Sequence, residues 1–404
     1  MITSTKGKSP FYPGQPVPVE LFVGRTEQLN RIITRGVGQV AEGKPITIYV
    51  QGEYGIGKSS VAKFVQWMAD RNYNLHPIYA SIGGVGSLED LAAAVLEATV
   101  RSGAFDPKKW EKIGEFLAKY VGSIDLYGVS INFDALKKDA SNFKTPFSML
   151  SFLSETLNRL RKDTEINGVF LVLDEINGVA SNPDFAFFVK SMVDTNAMST
   201  EPLPLLLMLC GVENCRREMI HNHQPVERIF DVVDIEPMCK EEMEEFFLKA
   251  FKSVNISVTS KPLGIMSYYS AGFPKIMHLI GDSAFWLDQD GEITEGEAMN
   301  AVLSAADEVG KKYVDQQVFK ALRSKDYHSI LRKIAKTGLD MSFLRQDVTK
   351  GLTESERKKF DNFLQRMKKL KVLRSGDIKG EYVFNSRMVR LYIWLDALRK
   401  RPRR

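Results

Sequence analysis

One segment of the sequence has the residue types and spacing of a phosphate-binding loop. Gly52, Gly57, Lys58 and Ser59 fit the pattern Gly, four residues, Gly-Lys-Ser. Glycines let a loop curl so that backbone N–H groups face phosphate oxygens, and a following helix adds the positive end of its dipole. We expect Lys58 to hold the β- and γ-phosphates of ATP and Ser59 to ligate Mg²⁺. The residues predicted to contact the nucleotide here are Gly52, Glu53, Tyr54, Gly55, Ile56, Gly57, Lys58, Ser59 and Ser60.

A second segment supplies two acidic side chains at the end of an apolar run. Residues 169–173 are apolar, and Asp174 and Glu175 follow them directly. We expect Asp174 to hold Mg²⁺, directly or through water, and Glu175 to orient and deprotonate the attacking water. Alone, the two acids would indicate no more than the start of a surface loop. Together with the upstream glycine-rich loop, they predict ATP hydrolysis.

Apolar runs that alternate with helical patterns must position these residues. Strands are predicted at 46–50, 78–82, 169–173, 205–209 and 229–235, and helices at 25–40, 58–68, 88–100, 147–161 and 185–193. This alternation predicts an α/β fold with a mainly parallel sheet covered on both faces, the three-layer αβα core of a P-loop NTPase. An insertion at 110–144 interrupts the pattern, and residues 123–133 within it predict a β-hairpin.

The chain after Glu236 has a different organisation. The pattern is helical through about Arg323, which predicts a separate helical domain. Three further helices at 327–336, 342–350 and 355–371 precede two short strands at 372–375 and 381–385, the order of a winged helix. The predicted domains are therefore an extended proline-rich lead-in (1–20), an ATPase core (21–238), the helical domain (239–323) and a winged-helix domain with a basic tail (324–404).

Charge is distributed unevenly along the 404 residues. Residues 325–404 hold 22 Lys/Arg and 9 Asp/Glu, a net charge of +13, so residues 1–324 carry −8 of the overall +5. A basic end on an acidic body predicts a polyanionic partner, although a solvated basic tail at Arg399 to Arg404 is an equal alternative. The longest apolar runs are too short to cross a bilayer, no secretory signal is present, and three cysteines form no disulfide framework. These features predict a cytoplasmic location without membrane association.

The helix predicted at 355–371 has an apolar and a polar face. Thr353 and Glu356 form a capping box at its start. The residues expected to face inward are Phe360, Phe363, Leu364, Met367 and Leu370. The residues predicted to contact duplex DNA are Lys358, Asn362, Gln365 and Lys369 on the opposite face, with Arg374 and Lys379 near the wing. Lysine neutralises phosphates, and Asn or Gln can pair with adenine edges. The alternative is a solvated helix on a protein-binding domain.

Together these motifs resemble the AAA+ ATPases, in the branch that contains the archaeal and eukaryotic origin-recognition initiators and related signal-transduction NTPases. Leu21-Phe-Val-Gly-Arg-Thr-Glu27 is similar to the N-terminal motif of that branch, and Ala271-Gly-Phe-Pro-Lys275 to the start of its sensor-2 helix. The resemblance implies that the helical domain is a lid, that Val23 and Gly24 lie against adenine, and that Pro274 and Lys275 form sensor 2. It also implies that Arg228 reaches a neighbour's ATP as an arginine finger, and hence self-association.

The sequence departs from the family pattern at the two sensor positions. The strand at 205–209 should end in a polar sensor-1 residue, yet Cys210-Gly211 follows; Glu213 or Asn214 would have to substitute, or γ-phosphate sensing is weak. Sensor 2 would be Lys275 where arginine is common. These departures predict slow hydrolysis.

For Arg228, an ion pair with Glu227 or Asp231 is an equal alternative to the arginine-finger role. The spacing of Cys210, Cys215, His221 and His223 matches no familiar zinc pattern.

The sequence as a whole predicts an ATP-dependent molecular switch whose nucleotide state controls DNA binding or self-assembly. Two alternatives share these motifs. One is a signalling or defence NTPase whose winged helix makes protein contacts, and the other is a transposition or plasmid-partition regulator.

Overall fold

The structure is a computed structural model, which describes residues 6–15, 17–103, 144–162, 164–336 and 340–399. The chain divides into two compact units, here called the sheet unit (Pro16–Glu236) and the helical unit (Met1–Gln15 with Pro237–Arg404). The hairpin predicted at 123–133 and the basic residues 400–404 lie outside the described residues. No helix in the described ranges is both long and apolar enough to span a bilayer.

A parallel sheet forms the centre of the sheet unit. Its five described strands are β1 (Ile46–Gly52), β2 (Leu75–Ser81), β3 (Gly168–Asp174), β4 (Leu205–Gly211) and β5 (Asp231–Ile235). Their spatial order is β2-β3-β4-β1-β5, and every neighbouring pair is parallel. Strands β3 and β4 are buried along their whole length, as expected where helices cover both faces.

Helices connect the strands as the alternating pattern predicts. The α-helices of the sheet unit are α1 (Thr26–Ile32), α2 (Gly38–Ala41), α3 (Lys58–Tyr73), α4 (Leu88–Gly103), α5 (Pro146–Leu160), α6 (Pro183–Ala197) and α7 (Glu213–Asn222). Several boundaries differ from the prediction: β2 begins at Leu75 rather than at 78, and α3 ends at Tyr73 rather than at 68. The strand expected at 229–235 begins at Asp231, because Gln224–Ile229 forms a short 3₁₀ helix.

The helical unit contains two small sheets beside its helices. The helices are α8 (Lys240–Lys252), α9 (Ser260–Ser270), α10 (Pro274–Leu287), α11 (Glu295–Val309), α12 (Lys325–Ala335), α13 (Arg345–Thr349), α14 (Glu354–Lys369) and α15 (Arg387–Arg399). The strands are β6 (Ser257–Val258), β7 (Glu292–Ile293), β8 (Ser342–Leu344), β9 (Leu373–Ser375) and β10 (Glu381–Phe384). β6 and β7 are parallel, whereas β8, β10 and β9 form an antiparallel sheet in that order.

The C-terminal part corrects the sequence-based prediction twice. The helix predicted at 342–350 begins only at Arg345, because Ser342–Leu344 pairs with β10 as a strand. Phe343 is buried there and stacks on Tyr382, with ring centroids 5.8 Å apart. Helix α15 was not predicted at all. Its apolar residues are distributed around the helix rather than along one face, so the periodic signal on which such predictions depend is weak.

The N-terminal lead-in packs against the helical unit. Phe11 is 4% exposed, and its ring centroid lies 4.9 Å from that of Phe251 on α8. Gly281 on α10 leaves the space that the ring occupies, since a Cβ there would overlap it. The backbone N–H of Tyr12 donates to His278 Nδ1 at 3.1 Å. Residues 6–15 are therefore docked by an aromatic anchor and by a hydrogen bond that requires an unprotonated imidazole nitrogen.

Candidate functional site

The loop predicted to bind phosphate connects the end of β1 to the start of α3. Gly55 and Gly57 have φ angles of 78° and 103°, in the left-handed region that glycine adopts without strain. Gly52 lies close to β5, where a Cβ would be 2.6 Å from the carbonyl oxygen of Ile235. Helix α3 begins at Lys58, so the loop is at the positive end of its dipole. These conformations fit a loop that presents backbone N–H groups to phosphates.

Lys58 lies over this loop. Its Nζ donates to the carbonyl oxygens of Gly52 and Glu53, at 3.0 and 2.9 Å. Burial lowers the pKa of Lys58, and the nearby carboxylates of Asp174 and Glu175 partly oppose that shift. The ammonium group is thus within reach of anionic oxygens placed on the loop.

The predicted metal ligand Asp174 is hydrogen-bonded to a hydroxyl group that was not identified from the sequence. Asp174 is 3% exposed, and its Oδ1 accepts the N–H of Glu175 at 2.9 Å. Its Oδ2 accepts the hydroxyl of Tyr79, which extends from β2. Ser59 is half-buried as the second residue of α3. Burial raises the pKa of Tyr79, and the Asp174 charge adds to this, so the phenol stays protonated.

The predicted general base, Glu175, has an unusual backbone conformation. Its φ is 61°, which is uncommon for a residue other than glycine and is often found at functional sites. Its carboxylate lies against the loop that follows β2, where a Cβ on Gly83 would be 2.5 Å from Glu175 Oε2. Gly178 packs on the same loop, since a Cβ there would be 2.7 Å from the carbonyl oxygen of Val85. The loop after β2 therefore limits the space available to the base.

The carboxyl end of β4 has no polar sensor side chain. Cys210 is fully buried and pairs in register with Asp174 of β3 and Val50 of β1. Glu213, one of the two predicted substitutes, instead forms an ion pair with Arg217 at 2.7 Å on the surface of α7, and Asn214 is exposed. Across the described residues, no group of three or more His, Cys, Asp and Glu side chains is placed to hold a metal ion.

Arg25 connects the N-terminal motif to the phosphate loop, a role the sequence did not reveal. The guanidinium is part of a residue only 5% exposed, and its Nη2 donates to the carbonyl oxygen of Ile56 at 3.1 Å. Its Nη1 donates to the carbonyl oxygen of Glu236. Gly24, predicted to lie against adenine, has a φ of 73°, and Val23 beside it is buried. The available signal was an arginine that directly follows the apolar residues 21–23 and Gly24.

The predicted DNA-contacting residues of the helical unit are all exposed. The inward residues Phe360, Phe363, Leu364 and Met367 of α14 are buried as predicted, and Thr353 with Glu356 forms the capping box. The exposed residues are Lys358, Asn362, Gln365 and Lys369 on α14, Arg374 on β9 and Lys379 in the β9–β10 turn. Lys358 forms an exposed ion pair with Glu354 at 3.0 Å. The exposed polar face of α14, here called the exposed stripe, is thus available to a partner, although the charge of Lys358 is partly compensated by Glu354.

Comparison with known proteins gives structural neighbours but no sequence relatives. No protein-family model and no curated protein sequence matches this chain. The ORC2 protein of Aeropyrum pernix, solved in ADPNP–ADP complexes, aligns with a TM-score of 0.59 and 13% identity over 96% of both chains. A Walker-type ATPase of Pyrococcus abyssi aligns with a TM-score of 0.55 and 18% identity, over 92% of this chain and 96% of that one. Cdc6p of Pyrobaculum aerophilum aligns with a TM-score of 0.50 and 11% identity over 97% of both chains.

The chain has an ORC/Cdc6-like AAA+ fold. The five-stranded parallel sheet and the extent of these alignments confirm the predicted fold class. In this AAA+ fold, Arg228 lies exposed on the 3₁₀ helix Gln224–Ile229. Asp231, one of its two alternative ion-pair partners, is paired with Arg31 instead.

The segment predicted to form sensor 2 begins helix α10. Ala271 and Gly272 both have positive φ angles, of 53° and 79°, and form the turn that precedes it. Pro274 is the first helical residue, a position at which proline is favoured, and Lys275 follows it exposed. Contacts of Lys275 and Arg228 with a nucleotide stay predictions.

Proposed function

We propose that this chain binds ATP with Mg²⁺ and hydrolyses it slowly, and that its nucleotide state controls binding to duplex DNA or self-assembly. The supporting observation is the convergence of the phosphate loop, Asp174 and Glu175 at the carboxyl ends of β1 and β3. Open α/β sheets bind their ligands at that edge.

Each residue of this site has a distinct role in the proposed reaction. The N–H groups of the loop and Lys58 bind the phosphates, while Ser59 and Asp174 hold Mg²⁺, which neutralises developing charge when bound. Glu175 accepts the proton of the attacking water. Because Cys210 offers no polar group of ordinary hydrogen-bonding strength at the end of β4, the γ-phosphate has one contact fewer there. We therefore expect a low turnover rate.

Two substitutions test this proposal. Lys58→Ala should abolish binding of a fluorescent ATP analogue, whereas Glu175→Gln should bind it normally and release no phosphate, because an amide cannot accept the proton. Lys44→Ala removes an exposed lysine before β1 and serves as the control with wild-type behaviour. Normal ATP affinity in Lys58→Ala would refute the phosphate-loop assignment, and normal turnover in Glu175→Gln would place the base elsewhere.

The exposed stripe of α14 supports duplex DNA as the partner. Residues 325–404 carry a net charge of +13, so binding to any polyanion through counterion release is expected. Sequence discrimination is the sharper test. Asn362→Ala and Gln365→Ala should reduce discrimination and leave the salt dependence unchanged, since neither side chain is charged. Lys369→Ala should instead weaken binding to all duplexes and lower the salt slope by about 0.9 for the lost phosphate contact.

The same titrations separate DNA binding from the alternatives. They are made with labelled duplexes at several salt concentrations, with and without ATP. If ATP is hydrolysed but no duplex binds, the output is protein association, as in a signalling NTPase. If removal of residues 399–404 alone abolishes binding, the basic tail was responsible and the assignment to α14 is wrong.

A further inference from the structure

Tyr79 is the residue whose hydroxyl reaches the predicted metal ligand Asp174. We propose that Tyr79 is a positioning residue for the magnesium site, whose hydroxyl fixes the orientation of the Asp174 carboxylate. The inference rests on the proposed ATP and Mg²⁺ binding, and it assigns a role to a side chain outside both sequence motifs.

The direction of the hydrogen bond supports this role. A tyrosine hydroxyl has one hydrogen to donate. That hydrogen goes to Asp174 Oδ2, so the bond is made to the charged form of the carboxylate that a metal ligand requires. The Tyr79 hydroxyl therefore orients the carboxylate from a strand outside both sequence motifs.

Asp174 is held from its other side as well. Its Oδ1 accepts the backbone N–H of Glu175 at 2.9 Å, so each carboxylate oxygen has one protein donor. Further lone pairs on the two oxygens remain for a cation or its water. With Oδ1 and Oδ2 both bonded, rotation of the carboxylate is restricted before any metal binds. Hydrogen bonds to ligating carboxylates commonly have this function, and removing them typically costs about 10- to 100-fold in metal affinity or activity.

The sheet makes the Tyr79 position rigid. β2 and β3 are paired in parallel, with Tyr79 opposite Val172 and Ser81 opposite Asp174. Because side chains alternate between the faces of a strand, Tyr79 lies on the same face as Ser81, two residues from the position opposite Asp174. Its ring is also covered by Lys63, whose Nζ lies 5.2 Å from the ring centroid. Phenylalanine at this position keeps the ring and loses only the hydroxyl.

The test measures how Mg²⁺ affects nucleotide binding in Tyr79→Phe. A fluorescent ADP is titrated first in EDTA and then at increasing Mg²⁺ concentrations, and the Mg²⁺ concentration for half-maximal tightening is compared with that of the wild type. We expect this concentration to rise about 10- to 100-fold, while the affinity in EDTA is unchanged. The control is Tyr49→Phe, which removes a hydroxyl that donates to the Val212 carbonyl oxygen at 3.2 Å in the same sheet. It should leave the Mg²⁺ dependence unaltered.

Coupling to Asp174 gives a second measurement. Because Tyr79 acts through the Asp174 carboxylate, Tyr79→Phe should shift the Mg²⁺ dependence less in an Asp174→Asn background than in the wild type. A purely structural loss of stability would shift both backgrounds equally. Thermal unfolding of Tyr79→Phe and Tyr49→Phe without ligand shows whether either fold is impaired.

The outcomes distinguish this inference from the proposed function. A wild-type Mg²⁺ dependence in Tyr79→Phe overturns the positioning role, as do equal shifts in Tyr79→Phe and Tyr49→Phe or additive effects with Asp174→Asn. If the wild-type protein binds no nucleotide with or without Mg²⁺, the proposed function fails and the inference fails with it.

Discussion

The contact between Glu175 and the loop after β2 leads to a specific kinetic prediction for Gly83→Ala. Gly83 has no side chain, and the Cβ of an alanine would be built 2.5 Å from Glu175 Oε2. Gly83 is not one of the described glycines with a positive φ, so alanine can adopt its backbone conformation without strain. The substitution therefore acts on the carboxylate rather than on the loop itself.

The size of the effect follows from the overlap. An ordinary contact of a Cβ begins at 3.4 Å, so Glu175 Oε2 has to move by roughly 1 Å. The moving atom is at the end of a flexible side chain, and the free energy of unfolding should change little. Catalysis is more sensitive, because a misplacement of about 1 Å can reduce a rate by about 100-fold. We expect a fall in kcat of that order with unchanged ATP affinity.

The assay compares phosphate release and ATP-analogue binding in Gly83→Ala, Gly84→Ala and Glu175→Gln. Gly84 is the matched control, since a Cβ there would meet no atom within 4 Å. Gly84→Ala should therefore retain wild-type kcat, and Gly83→Ala should approach Glu175→Gln. Equal rates in the two alanine variants would refute the argument that Gly83 positions the base. A loss of ATP affinity in Gly83→Ala would show that the substitution disturbs more than the carboxylate.

Three further predictions concern other parts of the chain. If Arg228 acts in a neighbour's site, Arg228→Ala should lower kcat about 10³-fold and make the specific activity independent of protein concentration. Arg217→Ala, which removes another exposed arginine, should do neither. Phosphate release over a range of protein concentrations measures both effects. Burial lowers the pKa of His278 from 6.5 to about 4. The neutral histidine therefore contributes its full share to the folding free energy above pH 6.5, and this contribution is lost as the pH falls towards 4. Hydrogen exchange in residues 6–15, corrected for its intrinsic pH dependence, should then accelerate in that window, and constant protection would contradict the role of this histidine. Thr353→Ala should lower the free energy of unfolding of the C-terminal part by about 1 kcal/mol in denaturant titrations, because the capping box is lost.

Local sequence patterns were sufficient for the parts of the site that depend on neighbouring residues. Glycines and a lysine at fixed spacing define the phosphate loop, and the structure gives Gly55 and Gly57 the expected left-handed conformations. An apolar run that ends in an acid placed Asp174 correctly at the carboxyl end of a buried strand. The capping box at Thr353 likewise predicted the start of α14. In each case the determining contacts lie within a few residues of one another.

Residues whose role depends on distant contacts were not found. Phe343 follows a helix-compatible pattern, but pairing with β10 made Ser342–Leu344 a strand, since a tertiary contact outweighed a weak local preference. Arg25 belongs to a motif noted in the sequence, yet its bonds to the carbonyl oxygens of Ile56 and Glu236 join segments far apart in the chain. Nothing in the local pattern around Gly83 indicates that its missing side chain makes room for Glu175.

Sheet register explains why the hydroxyl beside Asp174 could not be predicted from the sequence. Tyr79 and Asp174 are separated by 95 positions, and only the pairing of Ser81 with Asp174 brings them together. Side chains alternate along a strand, so a shift of β2 by one residue would turn Tyr79 to the other face and leave Asp174 Oδ2 without this donor. The register is fixed because the buried residues Ile78 and Ala80 must face the core. Burial of those two apolar side chains thus determines which polar group reaches Asp174, and the proposed chemistry at the end of β3 depends on the packing of its neighbour.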